Sequence, residues 1–215
     1  MIKTSRNLFI AIIAAAALWF YMFSPWTSGL TNFWLTMSCS AIILTTLSLC
    51  FGGGIKNNLK IEKPALQIVG GVVLAFVLWG IFWVGDKAAS WLFDFARPEV
   101  DSIYSMKDGF PSWCIAILLL LVIGPAEEFF WRGYVQKSFV KVCEKGKYPA
   151  DYAFLLTSVI YALVHIWSFN FMLVMAALVA GCIWGFIYRL CPKALPALIV
   201  SHALWDALVF VIIPI

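Results

Sequence analysis

The chain has 215 residues, of which 63% are apolar and 12% charged, against roughly 45–50% and about 25% in a soluble domain. That excludes a water-soluble enzyme, and the 11 Trp, 18 Phe and 7 Tyr exclude a disordered tail or a small secreted disulfide scaffold. The 15 Lys and Arg outnumber the 11 Asp and Glu, but they sit in short gaps between apolar runs, a distribution that reports membrane orientation and gives no basic stripe for nucleic acid.

A bilayer core of about 30 Å takes roughly 20 apolar residues per helix. Runs of that order lie at 7–23, 32–51, 65–84, 112–142, 153–167, 171–190 and 194–213. They predict an all-α, polytopic membrane helix bundle of about seven transmembrane helices, a single transmembrane domain over 1–215 with N-terminal helices at 7–84 and core helices at 112–215. Lys3 and Arg6 precede the first run as in a signal peptide, but Ser24-Pro25-Trp26-Thr27 offers no small-x-small cleavage site, so this segment is expected to be retained. After the second run, Gly52-Gly53-Gly54 lacks the Lys-Ser/Thr ending of a P-loop and reads as a flexible stop. The loop at 86–111 is the longest, and its aromatic stretch from Trp91 to Phe95 fits a segment lying flat at the interface. The fourth run exceeds a span and turns amphipathic in its second half, as a helix projecting from the membrane would. The fifth is short. Gly181 and Gly185 form a GxxxG match in the sixth, suited to close helix packing, and the tryptophans read as interface and packing groups. No internal repeat points to an inverted-repeat transporter. The six cysteines show no CxxC spacing and read as small buried hydrophobes, with no disulfides.

Alternating the loops puts Lys3, Arg6, Lys56, Lys60, Lys63, Arg132, Lys137, Lys141, Lys145, Lys147, Arg189 and Lys193 on one side and leaves Lys87, Arg97 and Lys107 for the other. Basic residues gather on the cytoplasmic side. The N-terminus is therefore expected in the cytoplasm, and a plasma (inner) membrane location fits.

Ionisable side chains at membrane depth are costly and usually functional. Here they are Glu127, Glu128, Arg132, His165, His202 and Asp206, and they include both histidines of the chain. At about 1.5 Å rise per residue, Glu127, His165, His202 and Asp206 fall between about 8 and 18 Å from the cytoplasmic edge, one layer in the inner half of the membrane. Residues four apart on a helix are stacked and neighbours diverge by about 100°. Glu128 is thus expected to pair with Arg132 and leave Glu127 free, while His202 and Asp206 share a face. Pro125 lacks a backbone donor and should loosen the helix before the glutamates. Taken singly, Glu128 with Arg132 fits a helix-stabilising pair and a lone His fits a packing group; together in one layer they fit a functional site.

Glu127-Glu128-Phe-Phe-Trp-Arg132 resembles the EExxxR motif of the CAAX-protease and bacteriocin-processing (CPBP, or Abi) family of intramembrane glutamic endopeptidases, Tyr161-Ala-Leu-Val-His165 resembles its FxxxH motif, and His202-Ala-Leu-Trp-Asp206 its HxxxN/D motif. The resemblance runs from about Ser112 onward. Tyr161 stands where Phe is usual, a change expected to be harmless, and Asp206 stands where the prenyl-protein members have Asn. The family implies an all-helical fold with a cavity opening to membrane and cytosol, and hydrolysis of a membrane-borne or lipidated peptide without a covalent intermediate.

Amide hydrolysis needs an activated water, a stabilised oxyanion and a proton for the leaving amine. On this reading Glu127 is base and then acid, His165 positions the water and His202 donates to the oxyanion. Asp206 is either protonated or orients His202, while Arg132 holds Glu128. No cofactor is expected. Two alternatives remain open: a zinc hydrolase using the same residues, which lacks an HExxH motif, and a non-enzymatic immunity, scaffold or carrier protein.

Overall fold

The computed structural model describes residues 2–215, and every regular element among them is helical. Besides the short helical turns Ser28–Leu30 and Ile55–Asn58, they are in chain order α1 (Ile2–Phe23), α2 (Phe33–Gly52), α3 (Pro64–Leu92), α4 (Ala96–Ser105), α5 (Ser112–Val142), α6 (Pro149–Ser168), α7 (Phe171–Leu190) and α8 (Pro192–Ile212). All but α4 are long and apolar enough to cross a membrane. The chain is an all-helical, multi-pass membrane protein.

Two helices outrun their apolar runs. α3 continues to Leu92 because Asp86, which ends the apolar run, is neutralised by Lys87 at 3.0 Å and Arg97 at 3.4 Å. α6 begins at Pro149, whose fixed φ suits the first helical turn. The aromatic stretch at 91–95 does not form one flat segment. Trp91 and Leu92 finish α3, and the amphipathic element is the next one, α4. α4 bridges α3 and α7: Arg97 reaches Asp86, and Glu99 accepts from the Met172 amide at 2.8 Å, placing a carboxylate at the start of α7. Gly53 and Gly54 take φ of 80° and 92°, values that favour glycine, and the Gly53 amide caps α2 on the Leu49 carbonyl.

α5 is helical throughout but has two widened π turns, Leu119–Ile123 and Phe129–Gln136. The first lies just before Pro125, which cannot donate to the preceding turn. The second half of α5 does not project from the bundle: Phe129–Gln136 are all buried. Its polar residues face other helices, with Arg132 donating to the Gly181 carbonyl at 3.1 Å and Gln136 to the Gly185 carbonyl at 2.9 Å. The GxxxG glycines are therefore close-packing sites and carbonyl acceptors at once. Arg132 drops out of the loop-charge comparison because it is buried.

The connections alternate between two ends. One holds the N-terminus and the α2–α3, α5–α6 and α7–α8 connections, tied by Lys193 to Glu62 at 3.0 Å, Arg189 to Asp151 at 2.5 Å and Lys137 to the Asn57 carbonyl. The other holds α4 and the α1–α2 connection, tied by Trp34 to the Met106 carbonyl at 2.9 Å. The first is the basic end. All six cysteines are free.

Candidate active site

Close backbone approach brings the motif residues together. A Cβ on Gly124 would lie 2.6 Å from Ala203 Cα and 2.8 Å from its amide nitrogen, so α5 and α8 touch one turn before the two glutamates. A Cβ on Gly181 would meet the Tyr161 ring at 2.9 Å, which seats α7 against α6.

The first consequence is a buried ionic node. Glu128 Oε1 accepts from Arg132 at 2.7 Å and from His202 Nδ1 at 2.9 Å, and both Glu128 and Arg132 are fully enclosed. Glu128 thus does more than pair with Arg132. It ties α5 to α8. The guanidinium also lies over the rings of Tyr161 and Trp184, 5.0 and 5.5 Å from their centroids. Trp184 stacks on the His202 ring at 4.1 Å and donates its own N–H to Ser201 at 3.1 Å. With its plane fixed, His202 turns Nε2 toward Asp206 Oδ2 at 3.4 Å.

Glu127 faces away from that node. Tyr161 donates its hydroxyl to Glu127 Oε2 at 3.1 Å, so the Tyr found in place of the family's Phe is not idle. His165 sits in the 3₁₀ turn Val164–Ser168 that ends α6. Its Nδ1 is 2.8 Å from the Tyr161 carbonyl, and its Nε2 accepts from the indole of Trp19, on α1, at 3.0 Å.

Glu127, Tyr161, His165, His202 and Asp206 all line one cavity of about 440 Å³. Its walls are otherwise almost wholly apolar: Phe23, Phe33 and Met37 on one side, Ile81 and Phe82 on α3, Met172, Met175 and Ala176 on α7. α3 and α7 flank it without packing closely on each other, and the lining residues Ile81, Phe171 and Val179 are exposed there. The cavity has no close helix–helix seam along that face.

Counted from the basic ends of their helices, Glu127 and His165 lie about 22–24 Å along α5 and α6. The cavity runs from the Glu127 and His165 layer toward the end opposite the N-terminus, where Val100, Ile103 and Tyr104 of α4 cover it. At this covered end burial pushes the Tyr104 phenol up, offset in part by the Ile215 amide bonded to it, and the hydrogen bond to Asp101 raises Arg97.

Among the described residues no group of three His, Cys, Asp or Glu side chains is placed to hold a metal ion. His202 Nδ1 is turned to Glu128 and His165 Nε2 to Trp19. The residues that sequence reasoning passed over are Trp19, Trp184 and Ser201. Trp184 lies between Gly181 and Gly185, the one hint available.

These observations define a class: a polytopic membrane bundle with a carboxylate–imidazole site at the floor of a mostly apolar cavity. Residues 109–208 match the family model for the type II CAAX prenyl endopeptidase, Rce1-like. Over that segment, a little under half of the chain, it is similar to this family of membrane proteases. The match contains the whole motif set from Glu127 to Asp206 and leaves Trp19 outside it. No curated protein and no solved structure matches the chain.

Proposed function

We propose that this chain is an intramembrane endopeptidase that hydrolyses a peptide bond of a membrane-associated or lipidated substrate, working in the plasma (inner) membrane with its N-terminus in the cytoplasm. One observation carries the reading: the Glu127 carboxylate lines the same apolar cavity as both imidazoles, while its neighbour Glu128 is enclosed behind it.

Tyr161 holds Glu127 Oε2, so Oε1 is the oxygen left for water. Glu127 takes a proton from that water as it attacks the scissile carbonyl, and His165 positions the water. The carbonyl oxygen becomes an oxyanion and accepts from Nε2–H of His202, which acts as the imidazolium because its Nδ1–H is already given to Glu128 and its ring is fixed by Glu128 and Trp184. Glu127 then gives its proton to the departing amine, and the amide bond breaks without a covalent enzyme intermediate. Asp206 orients His202 from the far nitrogen, and its long 3.4 Å contact is one that a substrate oxygen displaces. Arg132 neutralises Glu128 and keeps that carboxylate out of the chemistry. The apolar cavity supports a substrate that arrives within the bilayer. On this reading Glu127, rather than a metal ion, activates the water.

The test compares membrane peptide products from cells carrying the wild type, Glu127→Ala and His165→Ala. Products present only with the wild type, and made in the presence of chelator, are the expected result. Identical products in all three overturn the proposal.

A further inference from the structure

We propose that Trp19 is a cap on the water-facing nitrogen of His165, so that the structure shows the resting form of the site and departure of the indole N–H precedes each hydrolysis. The inference rests on the hydrolytic reading above and adds to it a residue of α1, outside the family match.

A neutral imidazole has one donor and one acceptor nitrogen. The Tyr161 carbonyl only accepts, so the nitrogen 2.8 Å from it, Nδ1, carries the proton. The Trp19 indole only donates, so Nε2 at 3.0 Å is the acceptor. The hydrogen-bonding capacity of His165 is then complete. A water placed by this histidine has to bond at Nε2, the position the indole N–H holds.

Three aromatic rings crowd that imidazole. Trp19 meets the imidazole edge-on with centroids 5.9 Å apart, Phe23 lies at 5.6 Å and Tyr161 at 5.3 Å. Trp19 is itself held edge-on against Trp131 at 6.3 Å and is 1% exposed. The contact is selective. Trp131 is just as deeply buried, yet its N–H has no partner, so an indole here does not need His165 for lack of any alternative to bonding.

Phe23 supplies the means of release. It lies one helical turn beyond Trp19, four residues on and so on the same face of α1, and it lines the cavity. A substrate segment entering the cavity presses on Phe23 and shifts the α1 face that carries the cap. Water then replaces the indole on Nε2 beside Glu127.

Two measurements on the full-length protein in micelles test this. The chain has only two histidines, so ¹⁵N labelling of His and Trp gives an uncrowded spectrum. In the wild type a scalar coupling across the Trp19–His165 N–H···N bond is expected, with His165 Nε2 unprotonated. Trp19→Phe should abolish the coupling and move the Nε2 resonance, while Trp131→Phe, which removes an unbonded N–H beside it, should leave both unchanged. In membranes, the cleavage products that depend on Glu127 should then appear about two- to tenfold faster with Trp19→Phe, the worth of one neutral buried hydrogen bond.

A gain in rate cannot come from a damaged fold. A missing coupling in the wild type overturns the cap without any variant. So does a slower Trp19→Phe enzyme that retains the wild-type melting temperature. If His165→Ala cleaves normally, the hydrolytic reading fails instead, whatever the coupling shows.

Discussion

Tyr161→Phe removes one oxygen and little else, which makes it a sharp probe of how Glu127 is held. The ring contacts persist: the Arg132 guanidinium over the ring at 5.0 Å, Trp131 and His165 edge-on at 5.3 Å each. What is lost is the 3.1 Å hydrogen bond to Glu127 Oε2. Hydrogen bonds to a charged group are worth about 1.5–3 kcal/mol net, and about 1.4 kcal/mol is a factor of ten. If that bond fixes the carboxylate so that Oε1 faces the cavity, kcat should fall by about 10- to 100-fold. KM should stay near the wild-type value, because the hydroxyl touches the carboxylate and not the cavity's apolar walls. The assay is initial-rate proteolysis by purified protein in lipid nanodiscs, with thermal unfolding measured in parallel. A mutant as active as the wild type would refute the orienting role and restore the expectation that Tyr here is interchangeable with Phe.

Three further outcomes are expected. Glu128→Gln breaks the node joining Arg132 to His202, and removing one partner of a buried ion pair costs about 3–5 kcal/mol; unfolding in micelles should fall by roughly 6–20 °C, and an unchanged melting temperature would show that the node is not structural. Gly124→Ala places a methyl 2.6 Å from Ala203 Cα, so even this small change should cost about 1–3 kcal/mol through overpacking and prise His202 from Glu128; wild-type stability with wild-type rate contradicts the crossing drawn here. Asp206→Asn keeps the shape and a weak contact to His202, whose ring Glu128 already fixes at 2.9 Å, so kcat should remain within about fivefold of wild type, the scale of one weak hydrogen bond; a loss on the order of a hundredfold would mean that Asp206 is an indispensable charge.

Much of this architecture is written in patterns that a sequence displays openly. Seven apolar runs give seven helices because burial in lipid requires their length, and Glu128 and Arg132 meet because four residues return to the same face of a helix. The misreadings share a cause. Hydropathy ended the third run at Val84 because it registers Asp86 as polar, without Lys87 and Arg97 beside it. It let the second half of α5 leave the bundle because Arg132 and Gln136 count as polar, without the Gly181 and Gly185 carbonyls that receive them. The bond from Trp19 to His165 joins residues 146 positions apart, and an indole N–H in an apolar run looks the same whether it is bonded or not. Trp131 shows the second case.

The adjacent glutamates illustrate how one helix divides two tasks. Side chains one residue apart on a helix diverge by about 100°, so where α5 runs between α8 and the cavity, Glu127 and Glu128 cannot share surroundings. Glu128 turns into the bundle, where the guanidinium of Arg132 and the imidazole of His202 take up one of its oxygens. Glu127 turns to the cavity with a single neutral donor on it. A carboxylate bonded to a buried cation is held in place but has little left to offer a water. One held by a phenol beside an open space is fixed in direction and still able to accept a proton. Under the proposed mechanism the pairing of glutamates is therefore a division between a group that fixes the helices and a group that reacts. Because Glu128 reaches His202, it also sets the distance between the groups proposed as base and oxyanion donor, which is where the geometry of an amide hydrolysis is most demanding.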